Sequence, residues 1–241
     1  MSQESRGALE GTVALVTGGS RGIGRAAVRL LARSGCRVAV MARGRPDVAE
    51  LAEEVGGLPL FADVTDPEEV NASFRRVEVE MGDHPEIVVH AAGVFGLATV
   101  EEETLEGFDR QIDVNLRGAF IVARRALPAM RSRGGGTLVQ VGSVAGRRAF
   151  PANGSYSASK FGLRGLHEVL LEELRGSGVR ATLLEPAATD TSLWDPLDPD
   201  GSPELPNRSG MLRPEDVAET IHFVVSRPPH VQIPFLPVER S

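Results

Sequence analysis

Three residues of this sequence have types and spacing suited to moving a proton: Ser143, Tyr156 and Lys160. Tyr156 and Lys160 stand at i and i+4, so a helix would put them on one face. A phenol that gives up its proton near neutrality needs its ordinary pKa of about 10 lowered, and an adjacent ammonium does this electrostatically. Arginine brings the same charge, but its planar head barely titrates and hydrogen-bonds differently. Composition sharpens the point, because Tyr156 is the one tyrosine and Lys160 the one lysine among 26 basic residues. Independent placement would put that lysine four residues after that tyrosine in about one case in 240. A chain that uses arginine everywhere else and lysine here indicates a chemical requirement; the alternative is one surface lysine kept by chance.

A second constellation is Thr17-Gly18-Gly19-Ser20-Arg21-Gly22-Ile23-Gly24. Gly18 and Gly22 allow a tight turn and a close approach to a pyrophosphate, Gly24 allows a helix to pack near a strand, and the helix start offers free amides to an anion. A purely structural turn is the alternative. At the end of the next strand, where an NAD site usually has a carboxylate for the ribose hydroxyls, this chain has Ala42 and then Arg43. Arg43 and Arg21 are suited to pairing with a 2′-phosphate, which favours NADP(H) over NAD(H), unless both simply belong to an arginine-rich surface.

These residues need a scaffold, and the hydrophobic pattern predicts one. Short apolar runs at Thr12–Thr17, Arg37–Met41, Leu58–Ala62, Ile87–Ala91, Thr137–Val141, Val179–Leu184 and Val231–Leu236 read as strands buried on both faces. Between them lie helical stripes such as Ile23, Ala26, Ala27, Leu30 and Leu31, or Phe161, Leu163, Leu166, Val169, Leu170 and Leu174. The alternation predicts an α/β, Rossmann-type doubly wound domain over 1–241, with a seven-stranded parallel sheet and helices on both faces. Ligands of such sheets bind beyond the carboxyl ends of the strands, where Ser143 falls after the fifth. The Pro-, Asp- and Ser-rich stretch at about 190–214 reads as a substrate loop.

Together these motifs resemble the short-chain dehydrogenase/reductase family in its single-domain branch. Asp63-Val64 matches its adenine-contacting pair, Asn115 its helix-borne asparagine, and Ser143, Tyr156 and Lys160 its catalytic serine and YxxxK. The resemblance implies an NAD(P)(H)-dependent oxidoreductase in which Tyr156 is general acid or base and Ser143 hydrogen-bonds the substrate oxygen. Lys160 would bind the nicotinamide ribose and lower the tyrosine's pKa, and Asn115 would hold a water leading to solvent. Two departures stand out: His90-Ala91-Ala92-Gly93 replaces the usual Asn-Asn-Ala-Gly, and Pro186-Ala187 replaces Pro-Gly. Ala92, Gly93 and Pro186 keep the cofactor-facing backbone, Thr191 matches the threonine that caps the carboxamide, and Thr189 is a second candidate. His90 reads as a strand histidine satisfied by backbone groups.

Bulk properties exclude other classes. Net charge of −7 over 241 residues argues against nucleic acid as main partner. Arg124-Arg125 and Arg147-Arg148 read as solvated surface. One cysteine, Cys36, and a polar opening without a basic-then-apolar order favour the cytoplasm; no membrane span or metal site is expected. Val94, Phe95, Phe150, Leu193, Trp194 and Met211 are the expected pocket lining, suited to a small hydrophobic ketone, aldehyde or secondary alcohol. Trp194 either lines that pocket or pins the loop. The long helices starting near Glu106 and Gly154 carry wide apolar stripes, and their family counterparts form dimer and tetramer interfaces, so a homo-oligomer is expected. Competing readings are a catalytically silent nucleotide-sensing or scaffold protein on this fold, and a 3-oxoacyl thioester reductase as the specific activity. A sugar-nucleotide epimerase would need an added domain.

Overall fold

Strand β1 (Val13–Thr17) alternates between two apolar layers: Ala14 and Val16 pack on one side of the sheet, Val13 and Leu15 on the other, all fully buried. A strand with both faces covered carries no polar alternation, which is why its sequence is a continuous apolar run. The computed structural model describes residues 9–241. The polar opening weighed above against a targeting segment falls largely outside them.

Seven parallel strands form one sheet in the order β3-β2-β1-β4-β5-β6-β7: β2 (Arg37–Ala42), β3 (Leu58–Phe61), β4 (Ile87–His90), β5 (Gly136–Val141), β6 (Val179–Pro186) and β7 (Phe235–Val238). Helices α1 (Gly22–Arg33), α2 (Arg45–Val55) and α7 (Pro214–Val225) supply one apolar layer. The opposite layer comes from α3 (Pro67–Glu80), α5 (Gly118–Arg133) and α6 (Gly154–Glu173). The order turns back between β1 and β4, and this switch point opens a crevice at the carboxyl ends of the strands.

Local signals set several boundaries. Asp66 caps α3 by accepting from the Glu68 and Glu69 amides, with Pro67 at the first helical position. Thr104 caps α4 (Leu105–Ile112) by accepting from Gly107 N at 2.9 Å. Between α4 and α5 the backbone slips into a π-helix over Asp113–Arg117, a rare form that re-aims the side chains it carries.

The last strand starts later than the pattern predicts, at Phe235 rather than Val231. Pro234 has no amide to donate, so residues before it reach β6 through isolated bonds instead: Leu183 N donates to Pro234 O, and Thr182 Oγ1 to Ile233 O.

Candidate active site

One cavity of about 1440 Å³ lies along the carboxyl ends of the strands and holds both constellations. At its floor the glycine turn follows β1. Gly18 has φ +65°, and a Cβ there would sit 2.6 Å from the backbone of Ala92 beyond β4. A Cβ on Gly24 would lie 2.1 Å from the Gly18 carbonyl oxygen. Both positions therefore require glycine, and the turn stays open at the start of α1, with Ser20, Arg21, Gly22 and Ile23 lining it. A tight glycine turn that opens a helix start onto the cavity is the fit expected for a dinucleotide's pyrophosphate.

Farther along, Ala42, Arg43, Asp63 and Val64 line one end and Ala92, Gly93, Pro186, Thr189 and Thr191 the other. Arg43 Nη1 approaches Asp63 Oδ2 at 3.3 Å while its side chain remains 60% exposed. Asp63 is oriented by the Thr65 amide and hydroxyl at 2.9 and 2.8 Å; burial pushes its pKa up, but these bonds and Arg43 outweigh it and leave the carboxyl below its usual value. The end of β2 is less free of acids than the sequence suggests, because Asp47 from α2 also lines the cavity beside Gly44. The threonines separate: Thr189 Oγ1 donates to Ala187 O at 3.0 Å, whereas Thr191 Oγ1 accepts a long 3.4 Å bond from Leu193 N.

Ser143, just past β5, and Tyr156 and Lys160, on the first turns of α6, line the middle of the cavity. The Ser143 hydroxyl accepts from Ala145 N at 3.1 Å and stands near enough to the Tyr156 phenol to favour its ionised form slightly. Lys160 Nζ donates to Val141 O at 3.0 Å and lies 5.6 Å from the centre of the Tyr156 ring. The expected depression of the tyrosine is absent. Burial pushes Tyr156 up to about 12, only partly offset by Ser143, and burial also lowers Lys160 to about 8. Desolvation penalises both charged forms, and here it exceeds the help the ammonium gives the phenolate.

Asn115 is the one predicted site residue that does not line the cavity. The π-helix points it at the chain after β4, where Oδ1 accepts from Val94 N at 2.8 Å and Nδ2 donates to Val94 O and Ser159 Oγ, both at 3.0 Å. Both amide donors are thus engaged by protein, so its side chain braces the Gly93-Val94 backbone. His90 also differs from expectation: its Nδ1 pairs with the Thr17 hydroxyl at 2.9 Å rather than with backbone, and Nε2 has no protein partner. Burial, with Lys160 nearby, lowers it to about 3, so the imidazole is neutral at working pH.

Of the expected pocket residues, Val94, Phe95, Phe150, Leu193 and Trp194 line the cavity. Met211 does not. It is buried at 5% exposure and faces a smaller cavity behind the loop, because the Thr189–Leu212 bridge turns it away. Trp194 does both things the sequence left open: its indole N–H donates to Thr189 O at 3.1 Å, and its ring meets Phe95 edge-on at 4.9 Å, which in turn meets Tyr156 at 4.8 Å. Arg208 clasps the same loop by holding Asp190 at 2.5 Å, Asp195 at 2.6 Å and, more loosely, Asp200 at 4.0 Å.

Of the arginine pairs, Arg124, Arg147 and Arg148 are exposed, as expected of surface residues, but two of the four arginines are also tied to carboxylates. Arg125 binds Glu78 and lies over Phe74, while Arg147 binds Glu239 and the buried Glu185. Arg148, missed as a site residue, lines the cavity. Its only sequence signal is its place five residues after Ser143.

Comparison with known proteins agrees with this geometry. The family model for short chain dehydrogenases matches residues 12–201, and the chain belongs to that family. It is an oxidoreductase acting on CH–OH or C=O groups with NAD(P). It is 35% identical over 239 residues to a glycine betaine reductase from Emericella nidulans, covering 96% of this chain and 19% of that protein. A D-threitol dehydrogenase from Mycolicibacterium smegmatis is 34% identical, with 90% of this chain and 87% of that one covered. The closed form of a serine dehydrogenase complexed with NADP+ superposes with a TM-score of 0.89 at 27% identity, covering 94% of each chain.

Proposed function

We propose that this chain, as one domain, transfers hydride between NADP(H) and a carbonyl or secondary alcohol on a small, largely hydrophobic substrate. The observation that carries this reading is the convergence of Ser143, Tyr156 and Lys160 in the cavity that also holds the glycine turn. Bound along that cavity, the nicotinamide cofactor would supply or accept the hydride.

Tyr156, held protonated by burial, is the acid that donates to the developing alkoxide in reduction, and the base in oxidation. Ser143 donates a hydrogen bond to the same substrate oxygen and fixes its position. Lys160, anchored on Val141 O, holds the nicotinamide ribose and places a positive charge beside the phenol. Asn115 shapes the cofactor-facing turn through Val94. The glycine turn, with Gly18, Gly22 and Gly24, takes the pyrophosphate; Asp63 and Val64 take the adenine; Thr191, rather than the already bonded Thr189, takes the carboxamide. The named relatives act on threitol and serine, so the scaffold itself admits polar alcohols. The hydrophobic preference rests on this chain's own wall of Phe95, Leu97, Phe150, Leu193, Trp194 and Leu205.

Preference for NADP(H) rests on Arg43 and Arg21 at the adenosine end. Arg43 is only loosely tied to Asp63 and can turn to a 2′-phosphate. Arg43→Ala is expected to weaken NADPH binding by about 10- to 100-fold, the loss of a charge-assisted bond, with little change for NADH. Titration of both coenzymes checks it, and equal losses would return the specificity to NAD.

The reading includes a cytoplasmic location, in keeping with a single cysteine, Cys36, that is buried and whose thiol burial pushes up to about 12. Among the described residues no helix is long and apolar enough to cross a membrane. It also includes a homo-oligomer, because Leu105, Phe108 and Phe120 on α4 and α5 and Phe161 and Val169 on α6 are exposed. Sedimentation should find a dimer or tetramer; a 25.7 kDa species alone at micromolar concentration would remove this part of the reading.

A further inference from the structure

Ser143 is followed by a compact turn in which Gly146 N donates to Ser143 O at 2.9 Å and Arg148 N to Val144 O at 3.0 Å. Two adjacent arginines leave this turn in different surroundings. Arg147 is committed to structure, since Glu239 and Glu185 neutralise it. Arg148 has no carboxylate partner among the described residues. Its guanidinium lies over the Phe150 ring, 5.3 Å from the centroid, and both side chains line the cavity. Stacking on an aromatic face holds a guanidinium in place while leaving its edge donors free. Of the other cations on the cavity, Arg21 and Arg43 belong to the glycine turn and the end of β2, and Lys160 is bonded to Val141 O. Among the described residues Arg148 is therefore the cation of the substrate half without a carboxylate partner, seated on Phe150.

We propose that Arg148 anchors an anionic group of the substrate, a carboxylate or a phosphate joined by an apolar chain to the reacting carbonyl. This deepens the oxidoreductase reading and rests on it. A planar guanidinium with free edges matches such groups bidentately, and its seat on the Phe150 ring keeps it placed although both residues are exposed. Arg148 lies just beyond the 3₁₀ turn that follows Ser143, so the two residues belong to one short segment of the cavity wall. A substrate whose anionic end is joined by an apolar chain to its carbonyl, such as an oxo acid or a phosphorylated ketone, fits a wall that carries both this guanidinium and Phe150.

The test uses straight-chain methyl-ketone carboxylic acids, their methyl esters and the phosphate monoesters of equal length, with NADP+ bound for binding and NADPH for turnover. Trp194, the only tryptophan and part of the cavity wall, reports binding by fluorescence without requiring reaction. The acid or the phosphate should bind about tenfold more tightly than the ester, the gain of one charge-assisted pair, and the tighter of the two names the group. R148L should bring the anion down to the ester's level and R148K should restore part of the preference. Equal binding of acid, phosphate and ester by the native chain, or a preference that survives in R148L, overturns the proposal. Anion-selective binding that Arg148 controls, without NADPH oxidation, would uphold the anchor and count against the reductase reading alone.

Discussion

Tyr156→Phe is expected to lower kcat for carbonyl reduction by about 10³-fold, the usual loss when a positioned acid is removed, with NADPH affinity nearly unchanged. The change deletes one oxygen from a buried ring whose other contacts persist: the edge contact with Phe95 at 4.8 Å and the position beside Lys160 at 5.6 Å depend on the ring, not the hydroxyl. Ser143 loses a neighbouring hydroxyl but keeps the Ala145 amide, so the turn after β5 should hold. Burial places the Tyr156 phenol at about 12, which means the proton to be delivered is present throughout the neutral range. Steady-state kinetics with coenzyme titration would separate the two effects. A variant retaining a tenth or more of native kcat would remove Tyr156 from the proton step.

Lys160→Arg is expected to cost about 10²-fold in kcat although the charge is kept. The ammonium makes one bond, to the Val141 carbonyl at 3.0 Å, and a longer forked guanidinium would carry its charge past that point into the cavity. The pH profile supplies an independent readout. Burial lowers Lys160 to about 8, so the cation is present below that pH and lost above it. Reduction by the native chain should therefore be level below about pH 8 and fall as pH rises through it. Arginine does not titrate in this range, so the variant's low rate should lack that fall. An unchanged inflection near pH 8 in the variant would assign it to another group, and near-native kcat would make the lone lysine incidental. His90 offers no competing explanation, since at about 3 it stays neutral across the profile.

Much of this architecture is legible in the sequence because strands covered on both faces need unbroken apolar runs, and glycine turns need glycine. Six of the seven strands begin within a residue of where the pattern puts them; β7 does not, because periodicity is blind to the missing amide of Pro234. The chemistry-bearing side chains are legible by type and spacing. Their electrostatic state is not, since the desolvation that raises Tyr156 and lowers Lys160 depends on what packs around them. The π-helix that aims Asn115 inward has no sequence signature, being a slip in hydrogen bonding rather than a change in residue preference. Met211 is not legible in the same way, because which way its side chain points is decided by the Thr189–Leu212 bridge, a pairing between residues far apart in the chain.

The clasp around Arg208 separates the shape of the substrate loop from its chemistry. Arg208 and its partner Asp190 face the smaller cavity behind the loop, whereas Leu193, Trp194 and Leu205 face the large one. One cation shared by several aspartates keeps the path of the chain, so that of the residues facing a ligand only Trp194, bonded to Thr189 O, shares in that duty. New substrate range can thus be explored at Leu193 and Leu205, on a loop whose course each such step leaves intact.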